Sequence, residues 1–174
     1  MGLFDWLFGE KETNKKVQKN RQNKTSNSLD QFSNEEQSDL RVYAFIRCIS
    51  EMMKSDGDMD PREFATLGQL AQDEQMKLSK PYSQDSKEFE FIWPGEFSFS
   101  AENRKNLISA LKSFKSKDFD ILNEKLIVMA ISDERLDHNE IAYLSDIYAN
   151  IKEVSEEEAM KMVQKELRRL ELIK

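Results

Sequence analysis

The spacing of apolar side chains over residues 33–174 predicts a protein built from helices. In six stretches apolar residues recur three and four positions apart, the interval at which side chains share one face of an α-helix. The first stretch opens with SNEE, in which Ser33 and Glu36 are placed to form a capping box. We therefore expect an all-α fold, a compact helical bundle of about six to seven helices. The apolar stripe of the first helix comprises Val42, Phe45, Ile46, Ile49, Met52 and Met53.

Residues 77–99 interrupt this helical periodicity. The segment KEFEFIWPGEFSFS alternates apolar and polar residues on both sides of a Pro-Gly pair, a pattern typical of a hairpin or an extended loop. We expect its aromatic residues to cover the core, and a partner-binding surface is the alternative. These aromatic residues are Phe89, Phe91, Trp93, Phe97 and Phe99.

The N-terminal residues differ in composition from the rest of the chain. Residues 1–8 are strongly apolar, whereas residues 9–32 are polar, contain six Lys or Arg and are predicted to be a disordered basic linker. An apolar segment followed by a basic linker suits a weak membrane tether. A short helix folded back into a groove of the domain and a docking peptide for another protein are the alternatives. The expected contact residues are Leu3, Phe4, Trp6, Leu7 and Phe8.

The net charge and the counts of cysteine and histidine exclude or disfavour several classes of function. The chain carries a formal net charge of −7, which is spread as +2 over residues 1–32 and −9 over the remainder. An acidic body disfavours a nucleic-acid partner. The single cysteine, Cys48, and the single histidine, His138, exclude an internal disulfide and a zinc site of several cysteines or histidines. Cys48 borders the first apolar stripe and is expected to be a small core residue.

No apolar stretch is long enough to span a bilayer, and no secretory signal is visible. We therefore expect a cytoplasmic protein, held at the inner face of the cell membrane if residues 1–8 act as a tether.

A short motif occurs twice. Residues 55–67 (SDGDMDPREFATL) and 132–144 (SDERLDHNEIAYL) share the pattern S-D-x-x-Φ-D-x-x-E-Φ-A-x-L without a gap. Each copy follows an apolar helical stretch and leads into an amphipathic one. The sequence therefore predicts two pseudo-repeated helix–turn–helix units.

The motif is not a calcium-binding EF-hand loop. That loop requires glycine at its sixth position and a bidentate glutamate at its twelfth. Counted from Asp56, these positions hold Pro61 and Leu67, and the second copy fails in the same way.

Four acidic residues of the motif have a structural explanation. Asp60 and Asp137 stand where a helix N-cap belongs, and Glu63 and Glu140 follow three residues later. This spacing completes a capping box at the start of each following helix.

The remaining acidic residues require another explanation. Asp56 and Asp133 are expected at the end of the preceding helix, where the helix dipole disfavours a carboxylate, and Asp58 adds charge to the first turn. Their placement predicts a positive neighbour, either a bound divalent cation or a basic partner. Carboxylate oxygens suit Ca²⁺ or Mg²⁺. The expected metal ligands are Asp56, Asp58, Asp60, Glu63, Asp133, Asp137 and Glu140.

These residues resemble a known signature. The D-G-x-Φ-x-x-x-E turn looks like that of the TerB-like domain, which occurs in tellurite-resistance proteins and at the N-terminus of a DnaJ-type co-chaperone. The resemblance covers residues 38–152 outside the 77–99 insertion, and Glu134 replaces the glycine in the second copy. It implies an all-helical domain with an acidic metal-binding cluster, a stress-response role near the bacterial inner membrane and no defined catalysis. The matching residues are Asp56, Gly57, Met59 and Glu63 in the first copy, and Asp133, Leu136 and Glu140 in the second.

Three functional hypotheses follow. The leading one is a non-enzymatic, divalent-metal-binding stress-response module, associated peripherally with a membrane and with protein partners. The alternative is a metal-free scaffold whose acidic surface docks a basic partner. A metal-dependent hydrolase is less favoured, because His138 is the only imidazole available for acid–base chemistry.

Overall fold

The computed structural model describes residues 29–55, 57, 60–93 and 101–174, and these parts of the chain are all-helical. They contain seven α-helices and no strand, which confirms the all-α prediction and the expected number of helices. A 3-10 turn at Leu29–Gln31 precedes the first helix. The helices are α1 (Asn34–Met53), α2 (Pro61–Gln75), α3 (Lys87–Ile92), α4 (Ala101–Lys112), α5 (Ser116–Ala130), α6 (His138–Lys152) and α7 (Glu156–Arg169).

Helices α1, α2, α6 and α7 begin where the sequence places their capping residues. At α1 the backbone N–H of Ser33 donates to Glu36 Oε2 at 2.9 Å, and the N–H of Glu36 donates to Ser33 Oγ at 3.3 Å. Pro61 occupies the first turn of α2. At α7 the hydroxyl of Ser155 accepts from the N–H of Glu158 at 3.2 Å. These local bonds satisfy N–H groups that the helix cannot pair internally.

Helix α1 forms the centre of the bundle. It contacts α2, α3, α4, α5 and α6, whereas α7 packs mainly on α6. The predicted apolar stripe of α1 is buried along its whole length. Cys48 is fully buried within it, and burial raises the pKa of its thiol well above the ordinary range. The expectation that Cys48 is a core residue is therefore confirmed.

The segment around residues 87–92 differs from its predicted extended structure. It forms helix α3, which begins where Ser86 Oγ accepts from the N–H of Phe89 at 3.1 Å. The alternating pattern concealed a helical one, because Phe89, Ile92 and Trp93 also lie at positions i, i+3 and i+4. Phe91 is buried as well, since the short helix contacts both α1 and α4.

The aromatic residues of this insertion cover the core, as expected, at the three described positions. Phe89 stacks on Trp93 with ring centroids 4.8 Å apart and meets Tyr43 of α1 edge-on at 5.8 Å. Phe91 meets Phe32 edge-on at 5.2 Å. The other two aromatic residues, at positions 97 and 99, lie outside the described residues.

The folded part begins earlier than predicted. Phe32, placed in the disordered linker by the sequence, is buried, and Leu29 packs against the core. The side-chain amide of Gln37 donates to the carbonyl oxygens of Phe32 at 3.0 Å and of Leu29 at 3.4 Å. The apolar pattern of the sequence predicts the start of the folded part too late, because residues 29–32 contain only two large apolar residues, Leu29 and Phe32. The predicted apolar segment 1–8 lies outside the described residues.

Candidate functional site

Two acidic turns lie next to each other in the bundle. One joins α1 to α2 and the other joins α5 to α6, and we call residues 54–63 and 131–140 the paired turns. Nη1 of Arg62 in the first turn lies 3.7 Å from Glu134 Oε2 in the second. This contact joins two turns that are 77 positions apart in the sequence. The pseudo-repeat of the whole helical units stays a prediction.

The paired turns share an unusual backbone conformation. Gly57 has a φ of 83°, and Glu134, at the equivalent place in the second copy, has a φ of 68°. Both values lie in the left-handed region, which costs a residue with a side chain about 1 kcal/mol or more. The second turn therefore keeps the left-handed geometry although glutamate replaces glycine.

Capping boxes account for four of the predicted ligands. The N–H of Asp60 donates to Glu63 Oε2, and the N–H of Asp137 donates to Glu140 Oε2, both at 2.7 Å. Each aspartate in turn accepts from the N–H two residues later, at 2.8 Å in α2 and 2.6 Å in α6. Both glutamates are buried. The predicted structural role of these four residues is confirmed.

Asp133 is placed differently from the prediction. Helix α5 ends at Ala130, so Asp133 lies inside the turn instead of at the helix end. Its Oδ1 accepts from the N–H of Arg135 at 2.8 Å. An aspartate that bonds the backbone two residues onward stabilises a turn by itself. This local bond explains Asp133 without a ligand, and the sequence analysis missed it.

A cationic side chain of this chain, Arg62, lies among the carboxylates of the paired turns. The guanidinium of Arg62 donates two hydrogen bonds to the carboxylate of Asp60, from Nε to Oδ1 at 3.0 Å and from Nη2 to Oδ2 at 3.2 Å. These bonds lower the pKa of the Asp60 carboxyl and raise that of the Arg62 guanidinium. The charge of Arg135 also lowers the pKa of Asp60. Sequence reasoning missed Arg62, although its place two residues after an N-cap aspartate is a recognisable signal.

The described carboxylates have the ligand type that a divalent-cation site requires, but they do not have the required arrangement. Their oxygens are the hard donors that Ca²⁺ and Mg²⁺ prefer. Within residues 29–55, 57, 60–93 and 101–174, however, no three acidic, histidine or cysteine side chains converge as metal ligands. Asp56 and Asp58 lie outside these ranges. A complete site would therefore depend on those two residues.

His138 does not form part of an enclosed reactive site. It is the first residue of α6, and its side chain is exposed. The hydrolase hypothesis requires an imidazole beside a carboxylate in a sheltered pocket. Its exposure gives that hypothesis no support at this position.

A second feature, not predicted from the sequence, is a groove between α1, α2 and α5. Its cavity volume is about 150 Å³. Glu74 is buried at its edge, and its Oε1 accepts from Lys77 Nζ at 2.6 Å and Lys125 Nζ at 2.9 Å. Both ammonium groups lie 5.8 Å from the ring centroid of Phe45. The lining of this Glu74 groove consists of Ser38, Arg41, Val42, Phe45, Glu74, Lys77, Phe114, Asp118 and Ile121.

No protein-family model, curated protein or solved structure matches this chain. The resemblance to the TerB-like domain therefore stays a prediction based on the motif. Among the helices of the described part, none is long and apolar enough to cross a membrane.

Proposed function

We propose that the chain is a non-enzymatic helical module that binds a divalent cation at the paired turns and presents this end to protein partners. The single observation that carries the proposal is the approach of the two acidic turns, seen in the 3.7 Å contact between Arg62 and Glu134. Two short acidic segments that are 77 positions apart in the sequence thereby contribute to one surface. A stress-response role of the TerB-like kind is the biological context that the motif implies.

The charge of this surface favours a cation. The described residues of the paired turns after Gly57 hold two arginines, Arg62 and Arg135, against six carboxylates, a formal charge of −4. Lys54, Asp56 and Asp58 complete the charged residues of the paired turns and bring the total to −5. Like charges at this density repel one another, and a divalent cation with oxygen ligands relieves that repulsion. The acidic residues counted here are Asp60, Glu63, Asp133, Glu134, Asp137 and Glu140.

Added Ca²⁺ or Mg²⁺ is expected to stabilise the full chain. A ligand at a hundredfold excess over its Kd raises the free energy of unfolding by about 2.7 kcal/mol. For a chain of this size that corresponds to a rise in Tm of about 5–10 °C. Thermal melting in millimolar Ca²⁺, millimolar Mg²⁺ and EDTA measures the effect, and calorimetric titration gives the stoichiometry.

A matched pair of double variants locates the effect. Asp56→Asn with Asp58→Asn removes two predicted ligands while leaving all four capping residues intact. Asp73→Asn with Asp120→Asn makes the same change of charge at exposed positions of α2 and α5. The first pair should abolish the rise in Tm and the second should preserve it. Identical melting of the unaltered chain in Ca²⁺ and EDTA would refute cation binding.

A metal-free scaffold is the second candidate, and the position of Arg62 favours it. This guanidinium already neutralises part of the paired turns without any metal. In that case calorimetry with Ca²⁺ is flat, and an oligolysine peptide binds with an affinity that falls as salt rises. Asp56→Asn with Asp133→Asn would then weaken peptide binding, while Asp73→Asn with Asp120→Asn would not.

Peripheral membrane association through residues 1–8 is the remaining part of the proposal. Its support is the sequence pattern of an apolar segment followed by six cationic linker residues. The full chain should co-sediment with vesicles containing anionic lipid, and removal of residues 1–8 should reduce the bound fraction several-fold. Uncharged vesicles provide the control, since each basic residue near an anionic surface contributes about 1 kcal/mol. Equal sedimentation of the two chains would exclude the tether.

A further inference from the structure

We propose that the Glu74 groove is the docking site of this chain's own residues 1–8, with an aromatic ring of the segment seated in the cavity. The segment then has two alternative positions, the groove and a membrane surface. The inference concerns a face of the bundle other than the paired turns, so it does not depend on cation binding there.

The size and lining of the groove suit one aromatic ring. Its volume is about 150 Å³, and five of its nine lining residues are polar or charged. An enclosed apolar cavity of about that volume holds a benzene molecule, so the groove has room for one ring. Four of the lining residues are apolar and come from α1, α5 and the connection between α4 and α5. Two of them are aromatic, so a bound ring would have aromatic neighbours. The apolar lining residues are Val42, Phe45, Phe114 and Ile121.

The charge of the groove suits a carboxylate beside that ring. Arg41 and Lys77 line it, Lys125 lies next to it, and the acidic residues are Glu74 and Asp118. These five groups sum to +1 in a chain whose formal charge is −7. A local positive charge on an acidic protein selects for an anionic group.

The segment contains the complementary arrangement in the sequence Phe4-Asp5-Trp6. One carboxylate between two aromatic residues matches a ring-sized cavity with cations at its edge. Leu3, Leu7 and Phe8 supply further apolar surface.

The chain is long enough to make this contact. Twenty residues, 9–28, separate the segment from Leu29, and a flexible chain of that length has a root-mean-square span of about 25 Å. Gln37 fixes the point at which the chain enters α1, and the next residue, Ser38, already lines the groove. The lining residues of α1 extend to Phe45, about 16 Å along the helix from its start at the helical rise per residue. The groove therefore lies well within reach.

Tethering makes even a weak contact sufficient. A short flexible linker holds its segment at an effective concentration in the millimolar range. A contact with a Kd of about 1 mM would then be occupied about half of the time or more. In aqueous solution, docking at this strength shields the apolar side chains of the segment from water. It also allows their release to a membrane, because both positions use the same side chains.

Tryptophan fluorescence of the full chain tests the proposal. The chain has two tryptophans, Trp6 and the buried Trp93, so Trp93→Phe leaves Trp6 as the only tryptophan, which excitation at the red edge of absorption selects over tyrosine. If the segment docks about half of the time, Trp6 emission is blue-shifted, and acrylamide quenches it up to about twofold less than it quenches a free tryptophan peptide. Emission and quenching equal to those of the free peptide would overturn the proposal.

Two further variants in the Trp93→Phe background assign the site. Ile121→Asp places a carboxylate in the groove, and Val128→Asp makes the matched change at an exposed position of the same helix. The first should make Trp6 fully quenchable, and the second should leave it protected. Equal protection in both variants would place the segment elsewhere and overturn the proposal.

A substitution in the segment itself provides a test that does not depend on whether the Ile121→Asp variant folds. Asp5→Lys changes no residue of helices α1 to α7, and it should raise the quenching of Trp6 because it reverses the charge beside Arg41, Lys77 and Lys125. An unchanged quenching constant would contradict the charge argument. Dilution of the chain over a hundredfold range should leave quenching constant, whereas a loss of protection on dilution would assign the groove to a second copy and overturn docking within one chain.

Discussion

Replacing Glu51 by leucine is expected to lower the free energy of unfolding by about 3–5 kcal/mol. Glu51 and Arg47 form an ion pair at 2.8 Å between side chains that are only 5% and 4% exposed. The other carboxylate oxygen of Glu51 accepts from the hydroxyl of Tyr143 on α6 at 2.9 Å. Arg47 also donates to the carbonyl of Ile92 at the end of α3. Removing Glu51 takes the carboxylate at 2.8 Å away from a buried guanidinium, which is the costly way to break such a pair.

Urea unfolding followed by circular dichroism measures this loss. Glu157→Leu is the matched control, because Glu157 pairs with Lys161 at the same i, i+4 spacing on the exposed face of α7. Its effect should stay within about 0.5 kcal/mol. Arg47→Met combined with Glu51→Leu should recover at least half of the loss, since it removes both charges. A loss for Glu51→Leu as small as that of the control would contradict this account of the buried pair.

Phe89→Ala is expected to cost about 3–5 kcal/mol as well. Phe89 is the centre of an aromatic group. It contacts Tyr43 of α1 at 5.8 Å, and Trp93 and Tyr82 of its own segment at 4.8 Å and 6.0 Å. Truncation leaves a cavity in this group and removes its ring contacts. Compared with the unaltered chain, the Phe89→Ala variant should show a larger increase in the hydrogen-exchange rate for the amides of α3 than for those of α6.

Met76→Ala provides the control for this truncation. Met76 is 81% exposed just after α2, so its loss should change stability by less than about 0.5 kcal/mol. If Phe89→Ala were equally mild, the insertion would be a loosely attached surface loop, and its aromatic residues would again be candidates for a partner-binding surface.

Local patterns in the sequence were sufficient to predict the helical fold. Apolar residues three and four apart identified the buried face of α1, and Ser33 and Glu36 marked its start. The same reasoning identified Asp60 and Asp137 as helix caps, and the structure confirms those bonds. Such predictions succeed because a cap bond or a helical face involves residues only two to four positions apart.

The same short range explains where sequence reasoning failed. In KEFEFIW both a strand and a helix place apolar groups on one face, and burial against α1 and α4 decided for the helix. The sequence predicts a cation or a basic partner beside Asp133, whereas in the structure its Oδ1 accepts from the backbone N–H of Arg135 in the same turn.

The sequence by itself determined the all-helical class, the capped helix starts and the two acidic turns. Three contacts were decided only by the tertiary structure. Arg62 of one turn reaches Glu134 of the other, and Arg47 and Glu51 form a buried pair that is joined to α3 and α6. Glu74 accepts hydrogen bonds from two lysines beside a groove. The physical reason is distance along the chain. Periodicity and caps depend on neighbouring residues. The contacts of Arg47 with Ile92, Glu74 with Lys125 and Glu51 with Tyr143 join residues 45, 51 and 92 positions apart, and they depend on how whole helices pack.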